Sequence, residues 1–188
     1  MSNVEEGHAK LSEFWGAVPE CDKRLPHMLQ SYIDAGIVTD LADFRTRAIP
    51  IGFHGDAAPC TKRMSLECVS WSSLMTPALS TKQAKWLISG LLDRCSVQDT
   101  AEVWWSYIAW SLASFLSGKH PRRDPSGIEW PAGTEPCFAA GTPLCGPFFF
   151  VLWQIKSDMD FISNYFGSRE LQWHFLLPLV RGQYHRGR

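Results

Sequence analysis

IPIGFHGDAAPC, residues Ile49 to Cys60, places apolar side chains at Ile49, Ile51 and Phe53 and then runs into His54-Gly55-Asp56. Alternation of that kind belongs to a strand with one buried face. The expected strand covers residues 48–54. Gly55 to Met64 contains Gly, Asp, Pro and Lys and reads as a hairpin connection. LECVSW, residues 66–71, alternates in the same way and is the natural second strand. KWLISGLL, residues 85–92, is a third run, although its length also permits a helix.

Downstream, the best-marked helix opens at Asp99, with Glu102 three residues on in capping-box position and Gly118 past its end. Val103, Tyr107 and Trp110 form one apolar stripe, and Trp104, Ile108, Leu112 and Phe115 form another, so two sides should be covered. Residues 120–147 are rich in Pro and Gly and read as a long loop. FFFVLWQI, residues 148–155, is continuously apolar, as a central strand covered on both faces would be. Ser157 to Asp160 then reads as the cap of a last helix over 159–166, ending at Gly167. Before all of these, Leu25, Met28, Leu29, Tyr32 and Ile33 share one helical face, with Gly36 as the stop. Residues 1–23 carry only a weak pattern.

The order is strand, strand, strand, helix, strand, helix. Short connections make the first three strands antiparallel neighbours, and the helix returns the chain so that the fourth lies parallel to the first. Asp56 would then stand just past one strand end and Asp158 just past the adjacent one. Neighbouring strands are ~4.8 Å apart, which lets two such carboxylates share a divalent ion.

This β-β-β-α-β order with acids after the first and fourth strands resembles the ribonuclease-H-like fold of nucleases and DDE-type transposases. IPIGFHGDAAPCTKRMSLECVSWSSL and FFFVLWQIKSDMDFISNYFG resemble two blocks of CACTA- and Plavaka-type transposase relatives, and WSYIAWSLASFLSGKHPRRDP resembles the segment between them. The likeness runs from Ala48 to Gly167. It implies a ribonuclease-H-like α/β domain over 48–167, preceded by a helical extension over 1–47 and followed by a basic tail over 168–188. It also implies catalytic, metal-ligating acids at Asp56 and Asp158, with Asp160 as an alternative ligand. Mg²⁺ or Mn²⁺ would be the ion, because such ions take oxygen ligands and support in-line phosphodiester displacement. DNA would be the partner and the nucleus the place of action. On charge alone, Lys62, Arg63, Lys119, Arg122 and Arg123 are candidates for phosphate contacts.

The sequence departs from the family pattern in two places. Lys156-Ser157-Asp158 replaces the family's KGD, and after Gly167 the only acid is Glu170, where the family supplies a third acid. A truncated or degenerate copy is therefore expected, and two function classes stay open. One is a metal-dependent phosphodiester-cleaving or strand-transfer domain. The other is a non-catalytic remnant or interaction module that keeps the fold.

Composition narrows the rest. A net charge of −1 gives no overall basic field to attract nucleic acid, so any contact must be local. The six cysteines form no CxxC pair and the start of the chain has no secretory pattern, which points to free thiols in an intracellular protein that is not secreted. A zinc site from Cys60, Cys68 and a histidine lacks ligand spacing. No apolar stretch reaches the ~18 residues of a membrane span. Plainer roles compete at each candidate. Asp56 fits an Asx turn, and Ser157 or Asp158 fits a helix cap. His54 reads as a strand-end side chain, and Trp104, Trp105 and Trp110 read as core rather than a base-stacking platform. Arg122 and Arg123 beside Asp124 read as solvated loop charges.

Overall fold

The computed structural model describes residues 3–19, 22–61, 64–76, 84–95, 97 and 99–157. Three helices come first: α1 (Asn3–Gly16), α2 (Arg24–Asp34) and α3 (Leu41–Arg47). Strands β1 (Ala48–Thr61), β2 (Met64–Ser73) and β3 (Trp86–Leu92) follow, then a 3₁₀ turn (Asp93–Cys95), helix α4 (Thr100–Ser117), a short helix α5 (Glu135–Ala139) and strand β4 (Phe149–Ser157). The strands form one mixed sheet in the order β3-β2-β1-β4. β1, β2 and β3 are antiparallel, and β4 runs parallel to β1. No described helix is long and apolar enough to cross a membrane.

β2 is longer than the expected 66–71, and two other expectations change more. β1 does not stop at His54. It continues to Thr61, pairing Asp56 with Cys68, Ala57 with Glu67 and Ala58 with Leu66. The ladder overrides the poor strand propensity of that segment, and Pro59 is accommodated because the register shifts between Pro59 and Thr61. The Pro/Gly-rich stretch is likewise more ordered than a bare loop. Asp124 Oδ1 accepts the backbone N–H groups of Ser126 and Ile128, and α5 follows.

The described residues fall into two compact units. The first takes those within Met1–Ile49 and Ala113–Val151, the second those within Pro50–Leu112 and from Leu152 to Ser157. The first unit holds two helices that the sequence reading did not place. Leu11 and Trp15 are the buried residues of α1, and α3 is capped by Asp40, whose carboxylate accepts the Asp43 N–H at 2.9 Å. Helix α2 agrees with expectation and ends in a Schellman arrangement. Gly36 has φ +67°, its N–H reaches the Ile33 carbonyl, and the Ile37 N–H reaches that of Tyr32.

Trp15, Phe44 and Phe149 are fully buried and meet edge to face, with Tyr32 tilted against Phe149. The polar atoms of this core are spent on backbone. Trp15 Nε1 donates to the Ala48 carbonyl at 2.8 Å and Tyr32 Oη to that of Phe150 at 3.1 Å. Burial raises the Tyr32 pKa far above the usual phenol value, so it stays a donor. Arg47 ties the rim, donating to the Ile37 and Pro147 carbonyls and pairing with Asp43.

In the second unit Ile51, Phe53 and Val69 are buried on the sheet, and Ile108, Ala109 and Leu112 on α4. Phe53 meets the Trp105 ring at 6.3 Å, and Trp104 Nε1 donates to Ser89 Oγ at 2.8 Å. These two tryptophans are half-buried against protein, whereas Val103 and Tyr107 of the other apolar stripe are exposed, so only one side of the helix is covered as expected.

Gly118 closes α4 with φ +66°, and a Cβ there would stand 2.9 Å from both the Phe148 carbonyl oxygen and Phe149 Cβ. Gly118→Ala should therefore lose at least the ~1–2 kcal/mol of a left-handed non-glycine residue, plus the cost of displacing backbone. Thermal unfolding of the two proteins checks this, and an unchanged Tm would contradict it.

Candidate functional site

Up to Gly55 every residue of β1 from Pro50 is buried. From Asp56 to Thr61 every one is exposed. The change coincides with the end of β4, where Ser157 Oγ donates to the Gly55 carbonyl at 2.8 Å. Among the described residues β1 is flanked on both sides before this point, and beyond it only β2 accompanies it, as a two-stranded ribbon. Asp56 is the first residue past the fork. It is exposed, it lies in the ladder opposite Cys68, and it is not the opening residue of a turn.

Beside it sits a buried polar pair that the sequence reading passed over. His54 and Ser72 are each 8% exposed, and His54 Nε2 shares a 2.8 Å hydrogen bond with Ser72 Oγ. Ser72 is the cross-strand partner of Gly52, not of His54, so the imidazole leans back over Gly52. A Cβ at Gly52 would lie 3.4 Å from both His54 Nε2 and Ser72 Oγ. A side chain at Gly52 would thus be in contact with the pair and tighter still, at 3.3 Å, against Leu74. The period-two alternation of LECVSW continued to Ser72 was the one signal available, since it aligns Ser70 and Ser72 on one face.

Burial lowers the His54 pKa, and the positive charges of Lys85 and Lys156 lower it further. The folded imidazole thus binds its proton less readily than the unfolded one. As pH falls through the ordinary histidine value of 6.5, the unfolded chain takes up more protons, so His54 subtracts stability below that pH and not above it. Burial is also the main reason the Cys68 thiol is raised, with Cys60 and Asp56 adding to it. Cys68 is therefore held as a thiol and not as a thiolate ligand.

The other candidates divide. Asp158, Asp160, Lys62 and Arg63 lie outside the described residues. Lys119, Arg122 and Arg123 belong to the first unit and Asp56 to the second. Arg123 pairs with Glu129 at 3.2 Å, and the Arg122 guanidinium lies along Gly141. The five described cysteines, Cys60, Cys68, Cys95, Cys137 and Cys145, are free thiols. Among the described residues no three His, Cys, Asp or Glu side chains group as a metal site. No protein-family model matches the chain, and neither a curated protein nor a solved structure matches it.

The His54–Ser72 pair gives a pH signature. Between about pH 7 and about pH 5, the wild-type Tm should fall more steeply than that of His54→Gln. Parallel Tm curves over that range would show that the imidazole does not resist protonation.

Proposed function

We propose that this chain is a transposase-derived, ribonuclease-H-like domain in a diverged copy, acting on DNA phosphodiesters through a divalent ion held by Asp56 and Asp158. The observation that carries this reading is the Ser157–Gly55 hydrogen bond. It holds the residue before Asp158 against the residue before Asp56, on strands that run in the same direction. Successive Cα atoms are 3.8 Å apart, so the two acids each begin one residue from that bond. The sheet order β3-β2-β1-β4, with the first three strands antiparallel and the fourth parallel, supports the same reading.

The residue types suit the ion. An exposed carboxylate such as Asp56 offers the hard oxygen donors that Mg²⁺ and Mn²⁺ take, and the Cys68 thiol opposite offers nothing to them. Bound there, the ion would supply Lewis-acid stabilisation of the phosphoryl oxygens and lower the pKa of an attacking water or hydroxyl. The chain's own part is to present Asp56 at the fork, held by backbone pairing on the β2 side and by the Ser157 hydroxyl on the β4 side. With two acids, or three if Asp160 joins them, binding should be weak. The reading carries nuclear action with it.

The experiment is Mn²⁺- or Mg²⁺-dependent nicking of supercoiled plasmid by the full chain. Nicking should occur and should be lost in Asp56→Asn, whose exposed site leaves the Tm unchanged without metal. Mn²⁺ should raise the Tm of the wild type and not that of Asp56→Asn. A folded chain that neither nicks DNA nor responds to Mn²⁺ overturns the proposal in favour of a non-catalytic interaction module.

A further inference from the structure

Lys85 and Lys156 are exposed and, among the described residues, neither takes part in an ion pair. They are far apart in sequence and close in the register of the sheet. Trp86 pairs with Trp71 and Trp71 with Phe53. Lys85, one residue earlier, therefore continues into the row of Ser72 and Gly52. On the other side of β1, Lys156 precedes Ser157, whose hydroxyl meets the Gly55 carbonyl, and its charge is felt at His54. The His54–Ser72 hydrogen bond joins the row of Ser72 to His54. One cation thus stands at each end of a short strip across the sheet, and Asp56 is two residues farther along β1. Three strand spacings, about 14 Å, separate the two lysine backbones.

The imidazole between them adds no charge, because burial and both ammonium groups disfavour its protonated form. The strip has two fixed positive charges on flexible stems over a neutral, buried polar floor. That suits a run of phosphates, which point charges hold without reading sequence. It also explains how a chain of net charge −1 would engage DNA locally. The cations of residues 119–123 are a poorer source, since they belong to the other unit and Arg123 is already paired.

We propose that Lys85 and Lys156 form a clamp for the DNA phosphate backbone across β1 and β2 beside Asp56, a role that rests on the nuclease-type reading above. The test is fluorescence anisotropy of a labelled DNA duplex with the full chain, in EDTA, across a salt series. Each released phosphate contact should lower the magnitude of the slope of log Kobs against log[salt] by about 0.9. Lys85→Gln and Lys156→Gln should each show that loss, and the double variant about twice it. Lys85→Arg and Lys156→Arg should retain the wild-type slope, and so should Lys10→Gln, a surface charge of the first unit. Far-UV circular dichroism checks that the variants fold.

An unchanged slope in the double variant overturns the clamp, as does a wild-type chain that binds no duplex. Binding is measured without metal, so the two readings fail separately. Nicking sensitive to Asp56→Asn with an unaltered slope removes the clamp alone. A slope lost in the glutamine variants with no nicking under any metal removes the nuclease reading and leaves the clamp.

Discussion

The parallel pairing of β4 with β1 is the constraint on which the rest of this molecule depends. Parallel neighbours cannot be joined by a tight turn, so the chain must travel from Thr61 to Phe149 before it can lay β4 on the free edge of β1. That journey includes β2, β3 and α4, and it explains the close approach at Gly118. The chain leaving α4 passes within contact distance of Phe148 and Phe149 at a point where any side chain would collide with backbone. Along β1 itself the burial changes sharply, from buried residues up to Gly55 to exposed ones beyond it. The residue at which that happens is Asp56.

Each unit uses its aromatic rings to fix part of this arrangement. In the first, Trp15, Tyr32, Phe44 and Phe149 meet around the starts of β1 and β4, and two of the four send their polar atoms to strand carbonyls. Those bonds leave no orphaned donor at the tryptophan and tyrosine and add directional contacts to an otherwise apolar cluster. In the second, Trp104 and Trp105 hold α4 to the sheet by a hydrogen bond to Ser89 and a ring contact to Phe53. Trp15, Trp104 and Trp105 thus act as anchors.

Strand positions were legible from the sequence because burial imposes periods of two and continuous apolar runs, present in 49–53, 66–71 and 148–155. Among the described residues, however, the last run is an edge strand and not the central one expected, its apolar first half being buried against the aromatic cluster. The limits of β1 were not legible, because Ala57, Ala58 and Pro59 carry no strand signal and are held by pairing with β2. α3 was missed for a related reason. Seven residues show too few turns to reveal a face, and its clearest mark is Asp40 as a cap. Asp56 stood out as an acid after an apolar run. The placement of Ser72 and Lys85 did not, since it comes from cross-strand register, and register depends on bulges such as the one in β3 between Ser89 and Leu87.

The serine at position 157 draws these strands together. A glycine there would lack the hydroxyl and leave the backbone freer to rotate. Here the hydroxyl takes the Gly55 carbonyl, a bond worth roughly 0.5–1.5 kcal/mol net. The end of β4 is thereby tied to β1 one residue before each acid. Such a tie fixes the separation of the two strands at that point. The bond adds to the sheet at the one strand pair that no tight turn can join.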